Sequence, residues 1–381
     1  MPLAERVRTG SAERSRPAAL PARKHLCFVA PRAWPVLSGD PAIPVVGGAE
    51  VQQSILARLF ASHGHRVSMV CLDYGQPERA RIDGIEVFRI FGLKQGLPLL
   101  RFLHPRVTSM WRALREVDAD IYYCRSVSPW VGVIAEFCRR HGRRAIYAGA
   151  SDRDFVPGQG GQMRHARDRW LFRRGLAAMD AIVAQNEVQR ASCRETYGRD
   201  ALVIPSCYEL PQKRQAAARD CVLWVGTLHE NKRPELLLEL AARLPQRRFV
   251  LIGGPRQGSE AFYERIRAQA AAAPNVTLTG FLPLAQVEPW FDRAAVLVNT
   301  STYEGMPNTF LQAWARGVPT VATVDVGASV HRVAPAVDQL AEGIEAAFSD
   351  PSLGARCLEY FGRQHSSAET LRRYAQVFDG L

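Results

Sequence analysis

A chain of 381 residues, 47% hydrophobic and 23% charged, suits two domains of ordinary size, each able to bury its own core. Its longest apolar runs, such as 131–135, are far too short to span a bilayer, no secretory h-region opens it, and its eight cysteines stand singly without a CxxC pair, which argues against a membrane-spanning protein, a disulfide scaffold and a cysteine metal site. The formal net charge of +12 implies an acidic partner, for which nucleic acid, anionic lipid and nucleotide phosphate are all candidates.

Residues 1–23 are basic and Pro-bearing and read as a flexible tail outside the fold. A first buried strand is expected over 25–30. Gly47-Gly48-Ala49-Glu50 then opens a helical pattern through Val51, Ile55, Leu56, Leu59 and Phe60, which ends at His63-Gly64-His65 before a strand over 66–72. Two adjacent glycines at a helix mouth allow close approach to a ligand and serve a tight turn equally well. Residues 91–118 interleave Leu93, Leu97, Leu99, Leu100, Phe102, Leu103 and Trp111 with Lys94, Arg101, Arg106, Arg112 and Arg115. Such a mixture suits a membrane-surface segment with cationic stems lying over lipid, and equally a half-buried connecting helix. Residues 162–175 repeat the theme with Arg164, Arg167, Arg169, Trp170, Arg173 and Arg174. Further strands are expected over 120–124, 143–148 and 181–184, with helices over 130–141 and 188–197. The phrase Ile146-Tyr147-Ala148-Gly149-Ala150-Ser151-Asp152 ends a strand, so Ser151 and Asp152 should face a crevice at the carboxyl ends of the strands.

A boundary follows Ile204-Pro205-Ser206, and the polar stretch 209–220 reads as a linker. The second half begins with a strand over 221–225, then Gly226-Thr227-Leu228-His229-Glu230-Asn231-Lys232-Arg233-Pro234 and a helix through Leu236, Leu237, Leu240 and Ala241. Lys232, a compact cation near a helix mouth, suits a diphosphate, although a solvated lysine would read the same. Strands over 249–252 and 276–278 alternate with helices over 261–273 and 284–293. A buried run over 294–298 enters Ser301-Thr302-Tyr303-Glu304-Gly305-Met306-Pro307-Asn308-Thr309-Phe310-Leu311-Gln312, and Gly317-Val318-Pro319 closes the helix. At such a strand–loop–helix corner Pro307 has no N–H to lose and Asn308 can cap, so the amides of Thr309, Phe310 and Leu311 are available to a phosphate oxygen. Gln312 falls one helical turn after Asn308, so with Glu304 it would place an amide and a carboxylate beside the same seat. An ordinary N-cap and turn is the plainer reading of each residue alone.

Taken together, Glu-Gly-x-Pro-Asn, a polar residue eight after the Glu, and Gly-Val-Pro before a strand resemble the Glu-x7-Glu signature of the family-four retaining glycosyltransferases of GT-B fold. Gly47-Gly48-Ala49-Glu50 with Gly64-His65-x-Val67 is similar to that family's first βαβ unit, and Gln185-Asn186-Glu187 also resembles it. The resemblance implies an α/β fold of GT-B architecture, two Rossmann-like domains facing a cleft: 24–206 on the acceptor side, 207–365 holding a nucleotide sugar, and a final helix in 366–381 returning to the first domain. It implies that Gly47, Gly48, Gly226, Thr227, Lys232, Glu304, Gly305, Met306, Asn308, Thr309, Phe310 and Gln312 hold the donor. Ser151 and Asp152 would face the acceptor, and Glu304, Lys232 and Asp152 would carry the chemistry. Three positions depart from the pattern: Ser151 stands where a His is expected, Thr227 where an Arg is, and Gln312 where a second acidic residue is. An amide at 312 still offers an acceptor and donors to ribose hydroxyls, and Arg233 could replace the missing cation if its loop turned it inward. The implied activity is retaining transfer from a nucleotide sugar to a glycan or lipid-linked acceptor in surface polysaccharide assembly. Neither metal nor cofactor is expected, the charge of the diphosphate falling to Lys232 and the helix amides. A cytoplasmic protein touching the inner face of an anionic membrane is expected, while nucleic-acid binding rests on charge alone and lacks a module. Two alternatives fit the same residues: a degenerate relative that binds nucleotide sugar or glycan without turnover, and a sugar-nucleotide epimerase, for which no carboxylate cluster stands out.

Overall fold

The computed structural model describes residues 23–40, 43, 47–97, 100–156, 163, 165–210, 218–256 and 258–381. The basic tail up to residue 22, Leu99, Gln162, Arg164 and linker residues 211–217 lie outside the described residues. The N-terminal sheet comprises β1 (His25–Val29), β2 (Arg66–Cys71), β3 (Arg79–Ile82), β4 (Ile85–Arg89), β5 (Ile121–Arg125), β6 (Arg144–Ala148), β7 (Ala181–Ala184) and β8 (Leu202–Val203), in the order β3-β4-β2-β1-β5-β6-β7-β8. All pairs are parallel except β3 with β4. The C-terminal sheet is wholly parallel: β9 (Cys221–Val225), β10 (Arg248–Ile252), β11 (Val276–Gly280), β12 (Ala294–Asn299), β13 (Thr320–Ala322) and β14 (His331–Val333), in the order β11-β10-β9-β12-β13-β14. The two-domain α/β expectation therefore holds.

Helices cover both faces of each sheet, which is why the strands read as continuous apolar runs and not as alternating ones. Within β1, Cys27 and Val29 belong to one packed layer while Leu26 and Phe28 belong to the opposite one, the period-two alternation of a strand buried on both sides. Phe28 stands in register with Met69 of β2 and Tyr123 of β5. The hairpin β3–β4 is absent from the sequence reading. It turns on Asp83-Gly84, both with positive φ (50° and 80°), the two-residue turn that Asp-Gly favours.

The last helix, Ser367–Asp379, leaves the C-terminal domain and packs on the first. Tyr374 and Phe378 meet the Phe60 ring at 5.5 and 5.4 Å between centroids, and Arg373 donates to the Val203 carbonyl. The chain makes this crossing beside His365. Its Nδ1 lies 2.7 Å from the Ser206 carbonyl, which can only accept, so Nδ1 carries the proton. Nε2 is buried without a hydrogen-bond partner, among Trp314, Tyr360 and Phe361. Burial drives the pKa of His365 down from 6.5 to about 4.

A depressed histidine pKa means that the folded chain binds fewer protons than the unfolded one between those values, so its contribution is fully present above the unfolded pKa and is lost as pH falls toward 4. The loss is on the order of 3 kcal/mol. Asp154, whose carboxyl burial raises to about 6, acts in the opposite sense over part of this range. The His365→Asn variant, whose amide can still donate to Ser206, separates the two. In denaturant titrations between pH 7 and 4.5 the wild type should lose more stability than His365→Asn; parallel curves would refute this role of the imidazole.

Candidate active site

The corner after β12 is built before any ligand arrives. Asn299, at the end of β12, accepts from the Ser301 amide through Oδ1 at 2.8 Å and donates through Nδ2 to Glu304 Oε1 at 3.2 Å. Ser301 Oγ donates to the same oxygen at 2.6 Å, and Lys232 Nζ is its third donor. The Lys232 and Glu304 side chains are only 21% and 15% exposed. Lys232 closes a short turn, Glu230–Lys232, after which Arg233 adopts φ +44° and leads into the helix Pro234–Arg243. Thr300 ties the two loops together: its hydroxyl donates to the Lys232 carbonyl at 2.6 Å and accepts from Trp224 Nε1 at 3.0 Å. Arg233 spends its Nε on the Thr300 carbonyl at 2.7 Å and so fastens this loop, while Thr227, where a cation is expected, is exposed. Gly226 packs tightly against Gly253, where a Cβ would fall 1.8 Å from the Gly226 carbonyl oxygen.

The helix Asn308–Trp314 corrects three expectations. Asn308 does not cap: Pro307 precedes the first turn without a side-chain bond. Its Oδ1 instead accepts from Gln52 Nε2 at 2.8 Å, and its Nδ2 donates to the Gly48 carbonyl at 3.1 Å. Gln52 is fixed by Cys207, donating to its carbonyl at 2.9 Å and accepting from its amide at 3.2 Å. Asn308 thus joins the glycine-mouthed helix Gly48–Ser62, with Gly47 just before it, to the donor corner. Phe310 is no ligand either, because its amide donates to the Pro307 carbonyl at 3.0 Å and its ring is fully buried beside Trp314 and His331. The seven-residue helix closes so tightly on Pro307 that, of its first turn, the Asn308 and Thr309 amides remain for an anion. The third correction concerns Gln312, which is 5% exposed and donates through Nε2 to Glu288 Oε1 at 2.8 Å. Glu288 also accepts from Tyr208 OH at 2.7 Å and pairs with the fully buried Arg316, which reaches Asp292 at 3.2 Å. The sequence reading passed over Glu288. Its signal was present: Glu288 and Asp292, four apart on one helix, match the four-residue spacing of Gln312 and Arg316.

Across the cleft, Ser151 caps the turn Asp152–Phe155 by accepting from the Arg153 amide at 3.3 Å. Asp152 accepts from Gln189 Nε2 at 2.8 Å, and Gln189 is anchored in turn by Asn186, which caps its helix. Asp154 is buried and accepts from the Ala150 amide at 2.8 Å. The two halves touch at Gly305, where a Cβ would stand 2.9 Å from the Ala150 carbonyl oxygen and 3.2 Å from Ser151 Cα, so only glycine fits. Met306 packs its side chain against the C-terminal core. Lys232, Glu304, Gly305 and Ser151 are thereby gathered at one seam, with Gly48 and Asn308 joined at another contact between the same domains.

Two family models match the chain: Glycosyltransferase Family 4 over residues 46–210 and Glycosyl transferases group 1 over residues 219–350. A curated relative, D-inositol 3-phosphate glycosyltransferase of Geodermatophilus obscurus, is 30% identical over 230 residues, which are 53% of this chain and 50% of the relative, so the match spans about half its length. Sucrose-phosphate synthase from Thermosynechococcus elongatus has a similar structure with a TM-score of 0.72 at 18% identity, over 94% of this chain and 98% of its own. Anabaena HepE, solved with UDP and glucose, gives 0.68 at 15% identity, over 94% of this chain and 100% of its own. At such identities the likeness is one of fold, two α/β domains about a cleft.

Proposed function

From the premise that this chain belongs to the family-four glycosyltransferases of GT-B fold, we propose that it moves a sugar, with retention of configuration and without a metal, from a nucleotide-sugar donor to a hydroxyl of a glycan or lipid-linked acceptor in surface polysaccharide assembly. The observation that carries this reading is the Lys232–Glu304 pair, held in one loop system whose next residue, Gly305, meets the Ser151 turn of the other domain. Three donors converge on Glu304 Oε1, which leaves Oε2 for a sugar hydroxyl. Lys232 and the Asn308 and Thr309 amides would stabilise the charge that develops as the bond between anomeric carbon and phosphate oxygen breaks. The acceptor oxygen bonds to that carbon, and its proton passes to the departing phosphate, so a seryl turn cap at 151 is compatible with turnover. Incubation with a panel of UDP-, GDP- and ADP-sugars, with and without lipid-linked acceptor extract, tests the reading. Nucleotide binding without turnover of any donor would favour the non-catalytic binder.

The basic surface belongs to the same proposal. Leu97 is 70% exposed, Leu93, Leu100, Leu103 and Trp170 are exposed as well, and exposed Arg101 lies among the leucines. Arg167 packs 3.5 Å over Phe102 and so joins the two basic segments. Beside them, a groove of about 810 Å³ is lined by Arg139, Arg169, Trp170, Arg173 and Arg174. The connecting helix Thr108–Val117 instead buries Met110, Ala113, Leu114 and Val117, as a half-buried connecting helix does. Arg106 also faces the fold, donating to the Leu93 carbonyl at 2.8 Å. No helix among the described residues is long and apolar enough to cross a membrane. Peripheral contact with an anionic bilayer, at up to roughly 1 kcal/mol per cation near the surface, fits this face. In vesicle sedimentation, binding should rise with anionic lipid and fall with salt, and joint replacement of Arg101, Arg173 and Arg174 by Ser should weaken it at least about tenfold. Absence of sedimentation with anionic vesicles at low salt would rule the attachment out.

A further inference from the structure

We infer that Arg153, a residue of the N-terminal domain, is the second cation of the donor diphosphate seat, presented to it across the cleft. The inference rests on the donor reading above and adds a residue that neither family resemblance nor local sequence assigns.

The donor seat has a charge deficit. A nucleoside diphosphate brings at least two negative charges. Lys232 is already paired with Glu304, so together they add no net positive charge. Thr227 has none to offer. Arg233 is tied through Nε to the Thr300 carbonyl. His229 is held below its usual pKa, first by burial and then by Arg256 and Lys232, so it is neutral near pH 7.

Arg153 is the cation that the fold delivers. Its guanidinium carbon lies 3.4 Å over the ring of Tyr303, the residue directly before Glu304. A guanidinium stacked on a ring keeps its N–H donors in its own plane, directed past the ring edge, where they can bind an anion as a fork. The turn that carries it is fixed on every other side chain: Ser151 caps it, Asp152 is bonded to Gln189, Asp154 to the Ala150 amide, and Phe155 is fully buried. Arg153 is therefore the residue of this turn that projects toward the other domain. The contact of Gly305 with Ala150 and Ser151 sets the spacing of the two loops. Because the ring on which Arg153 stacks belongs to Tyr303, the residue directly before Glu304, Arg153 would act on the phosphate nearer the sugar and so distinguish a diphosphate from a monophosphate.

Calorimetric titration with UDP, GDP and ADP, each against its monophosphate, tests this in the wild type, Arg153→Ala, Arg153→Lys, Arg256→Ala and the double variant Arg153→Ala/Thr227→Arg. Arg153→Ala should lower affinity for the bound diphosphate roughly ten- to a hundredfold and leave monophosphate affinity within about twofold, a selective loss that a mere strap between domains would not give. Arg153→Lys should keep part of the preference, and Thr227→Arg should restore it in the alanine background. Unchanged diphosphate affinity in Arg153→Ala, equal losses for both nucleotides, or loss of the preference in Arg256→Ala alone would overturn the inference while leaving the donor reading intact. Failure of the wild type to bind any of the three diphosphates would overturn both.

Discussion

Replacing Lys232 or Glu304 by alanine is expected to lower kcat/KM for sugar transfer by about two to three orders of magnitude, the scale of removing one preorganised electrostatic contact from an active site. Each partner depends on the other. Without Lys232, Glu304 becomes an uncompensated, mostly buried carboxylate beside the incoming diphosphate, held there by Asn299 and Ser301. Without Glu304, Lys232 loses the group that fixes its position, although Thr300 still holds its backbone. Because they touch, their losses should not add: the double alanine variant should fall short of the summed single effects. Steady-state kinetics with the donor found active in the panel, alongside thermal melts to confirm the fold, measure this. Activity retained within tenfold by both single variants would remove the pair from the mechanism.

Much of the scaffold was legible because a parallel sheet buried on both faces writes itself as apolar runs, and the strand ends over 221–225 and 294–299 locate the two loops that meet at Lys232 and Glu304. Local chemistry failed where a distant group outcompeted it. Asn308 has the composition of an N-cap, yet Gln52, 256 positions away, takes its carbonyl oxygen. Gln312 has the spacing to face a ligand, but Glu288 captures its amide. Phe310 lies in the right turn for an amide donor, but that amide closes on Pro307 within a very short helix. Arg153 gave no sequence signal because its placement depends on the meeting of two domains at Gly305. The Asp83-Gly84 hairpin is different: its turn signal was in the sequence, and the run Arg79–Ile82 is too short and too charged to read as a strand without it.

The largest stability effect should come from Arg316. Its side chain is 0% exposed and lies between Glu288, 13% exposed, and Asp292, 8% exposed. Its NH1 also donates to the Gln312 carbonyl at 3.0 Å. Substitution by methionine keeps much of the volume but removes the cation that lies between two largely buried carboxylates. Breaking a buried pair on one side costs roughly 3–5 kcal/mol, because the remaining charge has lost its water as well as its partner. Urea or guanidinium titration of Arg316→Met should show that loss near pH 7. The same cluster reverses what sequence alone suggests for Gln312. An ionised acceptor at 312 would by itself bind ribose hydroxyls more strongly than an amide. In this fold, Gln312→Glu sets a third carboxylate within about hydrogen-bond distance of Glu288, so it should destabilise the protein, and Glu288→Gln in the same chain should restore much of the loss by exchanging donor and acceptor across the contact. Arg316→Met within about 1 kcal/mol of wild type at pH 7, or a Gln312→Glu variant that Glu288→Gln further weakens, would show that the cluster is not held by the charge balance argued here.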